Sequence, residues 1–229
     1  MKKIILSTSF LLLFQLGNTQ VNIGARMGMN MGFFELKKVD VEEYSITPRP
    51  NILLNMDADV PFSMVFSFRT GLGFVQKWSE IDHVPDMKHV DTTWSLLYKM
   101  TYLEVPLFLV ARGETEYYGN FYFGAGPTLS LGVGGKMEMF AKSISTGKER
   151  QETIDLVWNS KPAPENHHGY DYFKRFDLGL GFIFAYQLPK SGLTFTASYN
   201  KGLRNISPNP GTEFRTSYVG VSIGFFMQN

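Results

Sequence analysis

The sequence predicts an all-β fold: an eight-stranded antiparallel up-and-down transmembrane β-barrel with long extracellular loops. Three observations carry that prediction. Apolar residues recur at every second position in run after run, eight such runs succeed one another, and the segments joining them alternate long and short along the chain. A period of two marks a strand with two unlike faces. Long loops at one end and tight turns at the other are the asymmetry of bacterial membrane barrels.

The chain opens with Lys2 and Lys3, continues through an apolar stretch from Ile4 to Leu16, and reaches the small or polar residues Gly17, Asn18 and Thr19. That order is a secretory signal peptide, residues 1–19, with cleavage expected before Gln20. One domain, residues 20–229, follows. The chain has no cysteine, so neither a disulfide framework nor a lipid-modified cysteine is available. No later apolar run approaches the roughly 18 residues of a transmembrane helix, so an exported chain of this kind is either a soluble envelope protein or a barrel, and composition tips that choice. Aromatic residues make up 15% of the chain, with 20 Phe and 22 Gly. This composition suits a sheet that meets lipid on one face and crowds small groups on the other. The mean hydropathy of −0.10 does not oppose this, because alternation averages out. A formal net charge of +1 excludes the basic footprint of a nucleic-acid binder.

The first strand spans Val21 to Phe33. Val21, Ile23, Ala25, Met27, Met29, Met31 and Phe33 lie on one parity, with Asn22, Gly24, Arg26, Gly28, Asn30 and Gly32 on the other. It exceeds the roughly 9–11 residues a tilted strand needs to cross a bilayer. Phe34 to Pro48, rich in Glu and Lys, reads as a solvated loop. The second strand, Asn51 to Val60, sets Ile52, Leu54, Met56 and Ala58 against Asn55, Asp57 and Asp59, and Pro61 turns the chain. The third places Phe66, Phe68, Leu72 and Phe74 opposite Arg69, Gly71 and Gly73, and ends at an interfacial Trp78. Ser79 to Thr92 is a polar loop, and Trp94 starts the return.

The fourth strand carries Leu103, Val105, Leu107 and Leu109 outward against Tyr102 and Glu104, and Arg112 to Tyr118 is a short link. The fifth has Phe121, Phe123, Ala125, Leu129, Leu131 and Val133 against Tyr122, Gly124, Gly126, Thr128, Ser130 and Gly132. Met137 to Ile144, the turn at Thr146 and Gly147, and Thr153 to Trp158 extend it as a hairpin above the membrane. The sixth strand sets Phe176, Leu178, Leu180, Phe182 and Phe184 against Asp177, Gly179 and Gly181, and Pro189 to Gly192 is a turn. The seventh, Leu193 to Asn200, leads into the Pro-rich loop Leu203 to Glu213. The eighth sets Val219, Val221, Ile223 and Phe225 against Tyr218, Gly220, Ser222 and Gly224. An even count puts both termini on the periplasmic side. Pro106 and Pro127 break the pattern inside strands four and five, and one shared β-bulge is expected to accommodate both.

Tyr102-Leu103-Glu104-Val105-Pro106-Leu107 resembles the PorT-like outer-membrane β-barrel family, whose members also carry the label porin family protein. Gly124-Ala125-Gly126-Pro127, Asp177-Leu178-Gly179-Leu180-Gly181 and Tyr199-Asn200-Lys201-Gly202-Leu203-Arg204-Asn205-Ile206 are similar to its later strands. The resemblance covers essentially the whole mature chain. It implies an integral outer-membrane barrel without implying one activity, and its best-known member is tied to a protein-secretion system. Tyr218, Gly220, Ile223 and Phe225 resemble the C-terminal signal read by the barrel-insertion machinery, although Met227, Gln228 and Asn229 follow where many barrels stop at an aromatic.

The candidate sites follow from parity and loop composition. Arg26, Asp57, Asp59, Arg69, Glu104, Arg175 and Asp177 are the inward-facing charges. Arg26, Asp57, Arg69 and Glu104 alternate in sign on four consecutive strands. An eight-stranded interior has room for side chains only, and charges withdrawn from water need partners, so these read as an ion-pair ladder filling the lumen. Asp82, His83, Asp86, His89 and Asp91 form a loop cluster of ligand-type residues whose spacing matches no established zinc pattern. Trp158, His167, His168, Tyr170 and Tyr172 form the candidate partner-facing loop. Gly220-Val221-Ser222-Ile223-Gly224 spells a nucleophile elbow, but no strand-to-helix turn and no downstream histidine accompany it. No cofactor is expected.

The sequence thus favours a binding or scaffolding platform over a small solute channel, with a lipid-modifying enzyme as a third reading. Expected partners are outer-membrane lipid, the barrel-insertion machinery and an envelope or extracellular protein.

Overall fold

The computed structural model describes residues 21–38, 45–82, 92–115, 119–164, 171–189 and 191–227. The signal peptide expected at residues 1–19 lies outside them. In chain order the strands are β1 (Asn22–Lys38), β2 (Ser45–Pro48), β3 (Pro50–Pro61), β4 (Phe66–Asp82), β5 (Thr92–Thr115), β6 (Gly119–Ser143), β7 (Glu149–Asp155), β8 (Val157–Trp158), β9 (Tyr172–Phe173), β10 (Phe176–Gln187), β11 (Leu193–Gly202) and β12 (Thr212–Phe226).

Eight of them close into a ring, β1–β3–β4–β5–β6–β10–β11–β12 and back to β1, with every contact antiparallel. β12 seals the barrel against β1 from Gly24↔Phe226 to Lys38↔Thr212. Closure leaves the ring no free edge, so the strands satisfy their backbone groups on one another, the condition for a sheet to cross hydrocarbon. β2 and β7 add to β4 and β6 beyond the ring. Among the described residues no helix is long and apolar enough to span a membrane.

The outer face is the lipid face. Ile23, Met27, Met29 and Met31 on β1 are between 47 and 62% exposed. Exposed apolar residues at alternate positions continue around the ring through Ile52 and Met56, Phe68 and Leu72, Leu109, Phe123, Phe182, Phe195 and Val221. So large an exposed apolar surface is abnormal in water and expected against acyl chains.

The barrel wall is taller than the apolar pattern indicated, because polarity inverts halfway along. β1 continues past Phe33 to Lys38 with Phe34 buried inward and Leu36 packed beside it, while Glu35 and Lys37 face out. Phe34 to Lys38 is therefore strand, as is Ser45–Pro48, which pairs with Ser79–Asp82 of β4. β4 likewise passes Trp78, burying Ser79 and Ile81 and presenting Glu80. β5 is a strand as far as Thr115, into the segment expected to be a link. In the lipid a strand is apolar outside and polar inside. Above it the same strand is charged outside and apolar inside. The expected hairpin is β6 and β7, joined through Gly147 at φ +64°.

The two prolines share no bulge. The β5–β6 register is the same on both sides of them, Pro106↔Thr128 and Leu109↔Ala125, with the pairs between them missing. Gly126 permits this, since a Cβ there would lie 2.1 Å from the Leu107 carbonyl oxygen. The bulge falls higher, at Thr101/Tyr102, where Thr101 faces Gly134 and Tyr102 faces Gly132. Val133 is the extra residue. It reverses which parity of β6 points inward, so that Met137 is buried above it as Ser130 is below.

Above the charged lumen, β8 and β9 pair in parallel and fold into the long-loop mouth. Leu156, Trp158 and Phe173 join Phe34, Tyr98, Met100, Tyr102, Ile206 and Phe214 in an aromatic cluster. Tyr98 meets Phe173 edge to face with centroids 5.7 Å apart, and Tyr102 meets Trp158 at the same distance. The Leu156 amide donates to Gly135, Gly132 donates to Arg175, and Lys174 donates to Ile206. The segment is thereby tied to both β6 and the β11–β12 connection.

Candidate functional site

The lumen holds three layers of ionised side chains beneath the aromatic plug. At the short-turn end, Asp59 and Arg69 stand opposite one another on β3 and β4. Arg69 Nε donates to Asp59 Oδ1 at 3.0 Å, and Ser67 Oγ donates to the same oxygen at 2.8 Å. The guanidinium lies between two rings, 4.7 Å from the centroid of Phe226 and 5.1 Å from that of Tyr122. In the next layer, Arg26 Nε donates to Asp57 Oδ2 at 2.6 Å.

The upper layer centres on Lys77, which is 0% exposed. Its Nζ lies 3.7 Å from Glu104 Oε2 and 3.9 Å from Asp177 Oδ2. It donates to Thr216 Oγ1 at 3.2 Å, and Thr216 in turn donates to Asp177 at 2.9 Å. Glu104 also accepts from Tyr218 Oη at 2.7 Å and Ser130 Oγ at 2.9 Å. The ammonium sits over the Tyr102 and Tyr218 rings, 4.7 and 5.4 Å from their centroids. Five strands thus converge on one cation: β4 supplies Lys77, β5 Glu104, β6 Ser130, β10 Asp177 and β12 Thr216 with Tyr218. Asn200 on β11 closes the layer by donating to Thr128 at 2.6 Å. A wholly buried lysine, shared by two carboxylates and two aromatic faces, thus occupies the bore at this level.

The expected ladder is divided rather than continuous. Arg26 pairs with Asp57, and Arg69 pairs with Asp59 instead of with Glu104. Glu104 stands opposite Gly73, two inward steps above Arg69, and that gap in height separates the pairs. Arg175 is a correction: it is exposed rather than inward-facing. The chain bends at Arg175 before β10 begins at Phe176, so the parity that buries Asp177 does not reach back to it. Lys77, the centre of the upper layer, is absent from the sequence-based set, although it lies on the inward parity of Arg69 four pleats higher. Thr216 and Tyr102 share inward parity with Tyr218 and Glu104 in the same way.

Trp158 is a second correction. It packs into the plug over Gly132 instead of facing outward, and Tyr172 is half-buried. His167, His168 and Tyr170 lie outside the described residues, as do His83, Asp86, His89 and Asp91; Asp82 accepts from Thr47 Oγ1 at 3.5 Å. Of the C-terminal signal residues, Tyr218 and Gly220 face the lumen, whereas Ile223 and Phe225 are exposed to lipid.

Outside the lumen, a cleft of about 660 Å³ opens on the outer face of the extension above the membrane, lined by Glu80, Asp82, Ser95, Phe140, Lys142 and Glu149. Glu80 on β4 accepts from Arg49, which sits between β2 and β3, and from Ser95 Oγ at 3.0 Å. Burial pushes its carboxyl pKa up, but the hydrogen bonds from Arg49 and Ser95 and the guanidinium charge outweigh burial and hold it below the ordinary glutamate value. Among the described residues, β7 beside the cleft is paired on one side only and is almost wholly exposed.

The family model described as outer membrane protein beta-barrel domain matches residues 15–207. No curated protein matches the chain. Among solved structures, the outer membrane protein OprG from Pseudomonas aeruginosa is 12% identical, with 92% of this chain and 98% of that one covered at a TM-score of 0.45. Neisserial surface protein A is 10% identical, covering 89% and 96% at 0.36. Ail, the attachment invasion locus protein of Yersinia pestis, solved with the heparin analogue sucrose octasulfate, is 12% identical, covering 90% and 99% at 0.34.

Proposed function

Because the chain belongs to the outer membrane protein beta-barrel domain family, we propose that it is a closed outer-membrane platform, a barrel whose lumen is sealed and whose long-loop end engages a partner protein. The observation that carries this reading is Lys77, wholly buried between Glu104 and Asp177 beneath an aromatic plug. The charges of this layer are withdrawn from solvent and face one another across the bore, which supports a filled lumen over an open one. Both termini belong on the periplasmic side in this reading, with the short turns, and the cleft and free β7 edge project from the opposite end. An unpaired strand edge above a membrane is a natural seat for an added strand.

The finer kinship with the PorT-like barrels rests on the short motifs around Glu104-Val105-Pro106 and Asp177-Leu178-Gly179. It puts protein-secretion or envelope-assembly machinery among the partner classes. Single-channel recording on the purified barrel in planar bilayers tests the sealed lumen: no steady conductance is expected, and stable openings would replace the platform with a channel. Cross-linking in native outer membranes, with β7 as the expected contact, identifies the partner.

A further inference from the structure

The charge on the outer wall above the lipid belt is distributed unevenly. On the side formed by β3 to β7, Arg49, Lys99 and Lys142 are each matched by one carboxylate, Glu80, Glu138 and Glu149. Among the described residues, on the side formed by β10, β11, β12 and β1, six cations, Lys37, Lys174, Arg175, Lys201, Arg204 and Arg215, stand with two outward carboxylates, Glu35 and Glu213. These cations adjoin one another. Arg204 lies over the ring of Phe176, 5.4 Å from its centroid, beside Arg175. Lys201 reaches across Ser217 to Glu35, which stands opposite Arg215.

Two polar atoms in the same patch make no hydrogen bond to any described residue: Arg215 Nε and Ser217 Oγ. Ser217 is 4% exposed on the outward parity of β12, opposite Phe33. An enclosed donor without a partner costs free energy unless something outside the chain completes it.

Directly below, two residues down β11 from Lys201, Tyr199 and Val219 head an apolar groove of about 500 Å³ between Phe182, Phe184, Ala125 and Ala197. A basic patch above an apolar groove, at the level where the lipid belt ends, fits an amphiphile with an anionic head. Arginine and lysine at that height are the groups that bind lipid phosphates.

We infer that this sector of the barrel wall is a docking site for a phosphate-bearing membrane lipid, its phosphates held by Arg175, Lys201, Arg204 and Arg215 and an acyl chain laid in the groove. The inference rests on the membrane setting that family membership carries, and it is independent of whether the lumen is sealed.

Native mass spectrometry of the mature barrel in detergent, titrated with bisphosphorylated lipid A, with the same lipid stripped of phosphate, and with inositol hexakisphosphate, tests it. Lys201→Gln/Arg204→Gln/Arg215→Gln should weaken the phosphorylated lipid on the order of a hundredfold, and Arg49→Gln/Lys99→Gln/Lys142→Gln should leave it within about twofold. Heat-modifiability on gels verifies that each variant is folded. Ala197→Trp, which fills the groove, should weaken the lipid and spare the soluble polyphosphate. Equal affinity for the phosphate-free lipid, or an equal loss in the control triple, would overturn the proposal. So would soluble polyphosphate binding as tightly as the lipid with Ala197→Trp silent, the result of a plain anion site.

Discussion

Trp158 lies against Gly132 so closely that a Cβ at the glycine would sit 2.5 Å from the indole ring. Gly135 holds Leu156 under the same constraint, at 2.7 Å. The plug over the barrel mouth is thus seated on two positions of β6 where no side chain fits.

Gly132→Val is expected to lift the plug while the barrel remains closed. Overpacking of this kind costs about 1–3 kcal/mol. In a background carrying Trp78→Phe and Trp94→Phe, Trp158 emission should shift to the red as the indole leaves Tyr102 and Phe173. An unchanged spectrum would mean that the glycine does not position the ring.

Lys77→Met leaves Glu104 and Asp177 buried without their cation, and breaking one partner out of a buried ion group costs about 3–5 kcal/mol. Urea unfolding of the folded barrel should show that loss. Adding Glu104→Gln and Asp177→Asn should restore most of it, because the penalty belongs to the uncompensated carboxylates and not to the lost methylenes. A single mutant as stable as the triple would remove the ion group from the account of stability.

Arg69→Ala separates the two ends of the lumen. Among the described residues Asp59 then retains only Ser67, and the Tyr122 and Phe226 rings lose their cation, so stability should fall by a comparable amount. Conductance in planar bilayers should stay silent, since Lys77 and the plug above it are untouched. If neither stability nor conductance changed, the charge stack would have no structural role.

Acid should loosen β2 first. Glu80 has a lower carboxyl pKa folded than unfolded, so its contribution is complete above the unfolded glutamate value of about 4.3 and disappears as pH falls through the lower folded value. Hydrogen exchange at the amides of Ser45, Ile46 and Thr47, in the strand that pairs with Ser79–Asp82, should accelerate over that interval in the native barrel. Glu80→Gln should give fast exchange already at neutral pH and flatten the profile. Equal pH dependence in both proteins would assign the effect to other groups.

The membrane-level strands were legible because the lipid imposes one rule on every outward residue, and Val21 to Phe33 or Phe176 to Phe184 obey it without exception. Above the lipid the rule reverses, and residues such as Phe34, Glu35 and Leu36 look like a charged loop to any reading that expects the same parity to stay apolar. Arg26, Asp57, Asp59, Glu104 and Asp177 announced their direction through parity alone. Their pairing did not follow, because it depends on the height at which each strand passes its neighbours. Lys77 was hidden by its position next to Trp78, where the outward face is already turning polar. The bend at Arg175 and the docking of Trp158 depend on contacts from β6 and the β11–β12 connection, which no local pattern encodes.

The single extra residue on β6 has a consequence for how the chain can vary. Removing or adding one residue between the lumen and the hairpin exchanges inside for outside along everything beyond it, whereas a change of two leaves both faces as they were. Val133 is an odd residue already absorbed, so Met137 and Met139 belong to the plug, and Lys136 and Glu138 to the water, only in its presence. Length changes between Gly132 and the β6–β7 turn should therefore be tolerated in even steps and rejected in odd ones, which makes β6–β7 a module whose exchange is governed by phase before it is governed by sequence.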